Sequence, residues 1–306
     1  MSLPICVIDI GGGGLRSACV DPDAPPNGEA VKNLSRSGPV ASLGQVIEFV
    51  KSTCHGTRAI SVATAGTIQH HRYVAVSPNI PALNGVDLGG KIREATDLST
   101  CIANDMETAA TGMALLFPHM SSFWGMTISS GIGVRLVVNG KIISETEAGH
   151  MPAFTSPFAS LCGCRNRGCA EAVLSGDAMT RRIVQETGIQ KIDIPDGMHP
   201  CAFFDQELPK RGKWAVSIEE VFVEGMATFL AILLSCVRVE AMIFKGKFAL
   251  RLDRTVFAMI KRRMRDNIID PSWVDGLEFL FSPQEPKDLD SFLGAAQIAR
   301  EMFSLY

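Results

Sequence analysis

The stretch from Glu147 to Glu171, EAGHMPAFTSPFASLCGCRNRGCAE, constrains this chain more than any other. It sets His150 ahead of three cysteines spaced C-x-C-x4-C, at Cys162, Cys164 and Cys169. One imidazole and three thiolates complete a tetrahedral Cys3His shell, a closed type with no position left for a reacting water. The expectation is a structural zinc ion that folds a short loop; the alternative is a run of reduced cysteines in a glycine-bearing loop. Glu147 lies just before His150 and Glu171 just after Cys169. An ion that pins the loop would also fix where both carboxylates point.

A chain of 306 residues with 46% hydrophobic content can bury a large core and divide into two domains. Its formal net charge of −3 gives no electrostatic case for a nucleic-acid partner. The densest basic run, Lys261 to Arg265, follows an apolar stretch and reads as a solvated helix face. The longest apolar run, Met226 to Val237, is too short to cross a bilayer and is bounded by Glu224 and Arg238. The nine cysteines are odd in number, and the first hydrophobic segment runs straight into glycines as a strand would. Reduced thiols in the cytoplasm, with no membrane partner, are the expectation.

Pro4 to Asp21 reads as strand, tight glycine turn, strand. Glycines 11 to 14 let the backbone come close to an anion and turn several N–H groups on it. Asp9, at the end of the first strand, is placed to hold a metal-bound water beside that anion. A plain hairpin is the alternative. Neither a P-loop nor a dinucleotide fingerprint fits, because no Gly-Lys-Ser/Thr follows and no helix opens at once. Phe123 to Ile143 reads as an antiparallel pair around Ser129-Ser130-Gly131-Ile132-Gly133, with a second turn at Asn139-Gly140. Cys101 to Ala103 is a short strand, and Met106 to Leu116 has helical composition. Asp105 between them reads, by itself, as a helix N-cap. Asn79 reads equally as an Asx turn between two prolines.

Helical periodicity covers 41–54, 89–95, 172–186, 252–264 and 289–305. Ser217-Ile-Glu-Glu220 forms a capping-box pattern that opens a long apolar helix to about Val237. Residues 59–68 and 277–281 read as strands, and 187–213 as a polar, irregular connection. Lys245 and Lys247 read as ordinary solvated lysines.

The pattern E-x-G-H followed by C-x-C-x4-C-x-E resembles the zinc-containing members of the ROK family (repressors, open reading frames and sugar kinases). Their usual form has Gly after the second cysteine, where this chain has Arg165. The four-glycine turn resembles the D-x-G-G-T-K phosphate hairpin of the actin/hexokinase superfamily, with Arg16 near the basic position and the Thr absent. Ser77 to Pro81 is similar to the family's P-N-x-P, and Asn104-Asp105 with Ala109 to its catalytic N-D-x-x-x-A. Ser129 to Gly133 stands where the family has G-T-G-I-G. Only Gly246 stands where it has a Gly-Gly turn for adenosine.

The likeness runs over most of residues 5–300. It implies an α/β, two-lobed ribonuclease-H-like (actin/hexokinase-type) fold with a cleft between the lobes. Residues 1–116 with 287–306 would form a sugar and phosphate lobe, and 117–286 a nucleotide lobe with the zinc loop. The implied reaction is ATP-dependent phosphorylation of a hexose or N-acetylhexosamine at its 6-hydroxyl, with Asp105 as general base. Asn79, Asn104, Glu147, His150 and Glu171 would line the sugar. Asp9, Gly11, Gly12, Ser130, Gly131 and Gly133 would face the ATP phosphates and Mg2+. His150, Cys162, Cys164 and Cys169 would hold structural Zn2+, and a homodimer is the family's common state. Two rivals remain open: a sugar-binding relative with weak or no phosphoryl transfer, suggested by the altered turns, and a ROK transcriptional regulator lacking its DNA-binding domain.

Overall fold

The structure is a computed structural model that describes residues 3–11, 13–77, 80–144, 147–154, 159–283 and 285–304. In chain order its elements begin with β1 (Ile5–Gly11), β2 (Gly14–Val20), β3 (Val31–Arg36), α1 (Leu43–Thr53) and β4 (Ala59–Thr64). A small hairpin, β5 (Thr67–Gln69) and β6 (Tyr73–Val76), leads to α2 (Leu88–Thr96), β7 (Ser99–Asn104) and α3 (Asp105–Leu116). Then come β8 (Ser122–Ile128), β9 (Ile132–Val138), β10 (Lys141–Ser144), α4 (Ala170–Leu174), α5 (Gly176–Gln190) and α6 (Pro200–Glu207). The chain ends with α7 (Lys213–Cys236), β11 (Ala241–Lys245), α8 (Arg254–Asp266), α9 (Ser272–Asp275), β12 (Glu278–Phe281) and α10 (Leu289–Met302).

Two five-stranded sheets have orders β3-β2-β1-β4-β7 and β10-β9-β8-β11-β12. Relabelled from its own first strand, each reads 3-2-1-4-5, so one plan occurs twice. The backbone divides into two compact units. One comprises Met1–Gly125, Arg135–Glu145 and Ser282–Tyr306; the other Met126–Val134 and Thr146–Phe281.

In the first unit β1 pairs antiparallel with β2 and parallel with β4, and β4 parallel with β7. Period-two alternation sends Ile5 and Val7 to one core and Cys6, Ile8 and Ile10 to another. The first core is closed by α10 through Phe292, Leu293 and Ala296, the second by α1 and α2 through Val46, Val50, Leu88 and Ile92. A strand buried on both faces reads as an unbroken apolar run, which is why ICVIDI carries so little polarity. Helices α3 and α10 touch backbone to backbone. A Cβ on Gly112 would strike the Asp290 carbonyl oxygen, and one on Gly294 the Thr108 carbonyl oxygen.

In the second unit three readings of the sequence need correction. The span 187–213 is not irregular: α6 buries Cys201, Phe203 and Phe204. Helix α7 starts at Lys213, a turn before the Ser217 capping-box pattern, because Trp214 stacks on Phe203 and meets Phe204 edge-on, both at 6.0 Å. The 172–186 helix is two helices that meet at buried Ser175, whose hydroxyl caps the Ala178 N–H at 3.2 Å. Among the described residues no helix is long and apolar enough to cross a membrane.

The α3–α10 contact gives a stability prediction. Gly294→Ala adds a methyl against a backbone oxygen that cannot rotate away, a cost of about 1–3 kcal/mol. That outweighs the roughly 1 kcal/mol of helix propensity gained. The urea midpoint should fall with an unchanged slope; a midpoint at or above the parent's would refute this packing.

Candidate functional site

Parallel pairing brings the C-terminal ends of β1, β4 and β7 to one edge, with Ile10 opposite Thr64 and Thr64 opposite Asn104. Ligands of open α/β sheets bind beyond such ends. At the β1 end Asp9 is buried and ion-pairs with Arg16 of β2, its cross-strand partner, and Arg16 also reaches Asp288 at the start of α10. The hairpin closes with Gly11 opposite Gly14. Gly14 has φ +129 and leaves no room for a Cβ against the Ser37 carbonyl, so the fold itself requires it. Gly11 and Gly13 differ: neither has a positive φ, and a Cβ on Gly13 would meet nothing within 4 Å. Gly12 and Asn79 lie outside the described residues.

At the β7 end the helix cap is Asn104, not Asp105. The Asn104 side-chain oxygen accepts the N–H of Met106 at 2.9 Å and of Glu107 at 3.3 Å. The Glu107 carboxylate returns the favour to the Asn104 N–H at 3.3 Å, completing a capping box. Asn104 Nδ2 donates to the Gly66 carbonyl at 3.0 Å, and Arg135 Nη2 of β9 donates to Asn104 Oδ1 at 3.1 Å. Asp105 is thereby the first residue of α3, with an exposed side chain whose Oδ1 accepts the Met106 N–H at 2.9 Å. A carboxylate in a helix's first turn is also favoured by the helix dipole.

In the second unit the ligand atoms of His150, Cys162, Cys164 and Cys169 all lie within 4.8 Å of one another. His150 Nδ1 is 3.4 Å from Cys162 Sγ, and Cys164 Sγ is 3.6 Å from Cys169 Sγ. Two turns fold the loop: Arg165 N–H to the Cys162 carbonyl at 2.9 Å and Cys162 N–H to the Asn166 carbonyl at 2.8 Å. Arg165 adopts φ 71, the left-handed region that glycine favours. Burial pushes the Cys169 thiol up to about 12 and raises Cys162, whereas the Asn166 backbone N–H lowers exposed Cys164.

Glu171 joins this cluster to the β8–β9 turn. Its Oε2 accepts the Ile132 N–H at 2.9 Å, while Oε1 is 3.7 Å from Cys162 Sγ and 3.8 Å from His150 Nδ1. A Cβ on Gly131 would collide with that carboxylate. Ser130 is exposed at the turn, and Gly133 is the second residue of β9. Glu147 is exposed, and its carbonyl accepts the His150 N–H at 2.9 Å. Lys245 is buried in β11, against the solvated reading, because β11 is covered on both faces; Lys247 is exposed. Gly246, with φ +98, packs on the Ile128 carbonyl.

The family model described as "ROK family" matches residues 5–302. The chain belongs to the ROK family. An N-acetylmannosamine kinase of Yersinia pseudotuberculosis is 29% identical over 177 residues, 56% of this chain and 61% of that protein, so the match spans about three fifths of the relative's length. A ROK family glucokinase from Streptomyces griseus, solved with glucose and AMPPNP, superposes with a TM-score of 0.77 at 20% identity, covering 98% of this chain and 99% of the other. A ROK family transcriptional regulator homologous to the E. coli MLC protein superposes with a TM-score of 0.80 at 17% identity, covering 99% and 80%. The fold is thus α/β of the actin/hexokinase type, and kinases and regulators share it.

In this ROK chain the structure brings Asp9 and Gly11 to the same sheet edge as Asn104 and Asp105, and gathers His150, the three cysteines, Glu171 and Gly131 in the second unit. Sequence reasoning missed Glu107, Asp288 and Arg135. The capping-box pattern N-x-x-E at Asn104 to Glu107 was there to be read. The other two are joined to the site only by the fold.

The thiol order has a consequence. In metal-stripped protein alkylated at mildly alkaline pH, Cys164 should label ahead of Cys162 and Cys169, as peptide mass spectrometry would show. A thiol lowered from its ordinary value is thiolate at a pH where its raised neighbours stay protonated. Equal labelling of the three would contradict it.

Proposed function

We propose that this chain is an ATP-dependent sugar kinase acting on the 6-hydroxyl of a hexose or N-acetylhexosamine. The observation that carries the reading is the division of labour at the start of α3. Asn104 caps α3, and Asp105, the first residue of that helix, keeps an exposed side chain at the sheet edge where ligands bind. The N-acetylmannosamine kinase relative and the glucokinase fold support the same class.

In this reading Asp105 accepts the hydroxyl proton as the oxygen attacks the γ-phosphate, a step that asks mainly for positioning and charge stabilisation. Asn104, whose amide is largely committed to the helix end, acts on Asp105 more than on the sugar. Asn79, Glu147, His150 and Glu171 are the further candidates for sugar hydroxyls. Gly11, Gly12 and Gly13 offer backbone N–H groups to phosphate; that Gly11 and Gly13 answer to no steric need of the chain supports this. Ser130, Gly131 and Gly133 are the second unit's candidates. Mg2+ bound with ATP offsets phosphate charge, and Asp9, held by Arg16, is the carboxylate assigned to its water shell. A homodimer in the cytoplasm completes the proposal.

The Cys3His set fits a closed zinc site. Bonds of about 2.0–2.3 Å at tetrahedral angles place ligand atoms roughly 3.5–3.8 Å apart. The sulfur–sulfur and sulfur–nitrogen separations of 3.6 and 3.4 Å agree with that. Such an ion supplies a cross-link, not a reactive water. The cross-link holds the loop on which Glu171 and His150 sit.

Two measurements test the proposal. ADP release across aldoses and acetamido sugars should find a substrate, and Asp105→Asn should lower kcat by about 10²–10⁴-fold with sugar affinity little changed. Undiminished turnover in that variant, or sugar binding without ADP release for any sugar, would sink the kinase reading. Elemental analysis should find about one zinc per chain, lost in Cys169→Ser, as closed structural sites bind tightly. Zinc-free protein that folds normally would refute the metal site alone.

A further inference from the structure

Arg135 sits in β9 among Val134, Leu136 and Val137, all buried, and is itself only 4% exposed. Successive residues point to opposite faces, so this strand is covered on both sides and an aliphatic residue would suit the position. A guanidinium there carries a desolvation cost of several kcal/mol that must be met by polar partners. It also lies against the N-terminal turn of α3, the positive end of a helix dipole, where a cation is disfavoured. Its polar contacts therefore matter more than its packing.

One of these contacts points to a role. Arg135 Nη2 donates to Asn104 Oδ1 at 3.1 Å, the oxygen that also accepts the Met106 and Glu107 N–H groups. Asn104 is held on its other side by the Gly66 carbonyl at 3.0 Å. Asp105 Oδ1 shares the Met106 N–H at 2.9 Å with Asn104, so a rotation of the Asn104 amide would be felt directly at Asp105. A planar, permanently charged fork fixes direction better than an ammonium on a flexible stem.

We propose that Arg135 is a positioning residue for phosphoryl transfer: it clamps the Asn104 amide and so fixes the direction of the Asp105 carboxylate. The inference rests on reading Asp105 as the general base. It predicts an effect on rate more than on affinity, since displacing a reacting group by about 1 Å can cost on the order of 10²-fold with binding retained.

The test compares Arg135→Met and Arg135→Lys with the parent and with Asp105→Asn, measuring kcat, sugar and ATP KM, and urea midpoint. The expected result for Arg135→Met is a kcat loss of about 10–100-fold with both KM values within about threefold. Arg135→Lys, which keeps the charge and one donor, should fall between parent and Met. A parental kcat in Arg135→Met overturns the proposal, as does a loss that merely follows the folded fraction. Should Arg135→Met fail to fold, the Lys variant decides: lowered kcat with unchanged KM supports the clamp, and parental kcat overturns it. Full turnover in Asp105→Asn would identify the failure as that of the general-base reading instead.

Discussion

The side-chain amide of Asn104 is the fastening on which the start of α3 depends. The first N–H groups of a helix have no intrahelical partner and must be satisfied from outside. Asn104 takes two of them, and Glu107 closes the return bond. With the cap one residue earlier, Asp105 is the first residue of the helix, exposed, with Oδ1 on the Met106 N–H. The same amide reaches the Gly66 carbonyl in the turn after β4 and receives Arg135 from β9. Three distant stretches of chain therefore agree on where one carboxylate stands, which no local sequence preference could secure.

Glu171 plays a comparable part in the second unit. One oxygen holds the Ile132 N–H just past the β8–β9 turn, and the other faces Cys162 and His150. The thiol cluster and the turn cannot shift independently while that carboxylate spans them. A side chain at Gly131 would have to displace this carboxylate. Ordering of the loop by a metal would then be felt at the turn, through a single side chain and over a few ångströms.

How much of this the sequence disclosed depends on whether the signal was local. Apolar runs between turn signals exposed most strands of both sheets, β3 not among them, and Asn139-Gly140 marked its hairpin correctly, with φ of 50 and 74. Ligand spacing exposed the Cys3His set because the donors sit on one short loop. Arg165, in a position where the family usually has Gly, adopts the left-handed conformation that glycine favours. The failures were tertiary. The Ser217 pattern was a valid helix start overruled by Trp214, whose ring finds Phe203 and Phe204 only after α6 folds beside it. The span before it looked polar because its apolar residues are few, yet Cys201, Phe203 and Phe204 among them are buried. Lys245 read as solvated because a lysine usually is, and Arg135 went unread because its partner is distant in sequence.

The glycine turns show which departures from the family pattern matter. Gly14 and Gly246 are required by the chain itself, through a positive φ and a backbone neighbour, whereas Gly131 is crowded only by the tip of the Glu171 side chain. Gly11 and Gly13 carry no such requirement. The proposed function supplies a reason for them, a phosphate that must approach the backbone closely. Ser129, the conspicuous replacement in the second turn, has both backbone groups engaged: its N–H with the Gly131 carbonyl at 2.9 Å, its carbonyl with the Gly176 N–H at 2.7 Å. A residue whose backbone is already committed has little to offer a ligand. If the second turn meets phosphate as proposed, a serine there removes less than the bare pattern implies, and exposed Ser130 and the glycines that follow are the groups left to meet it.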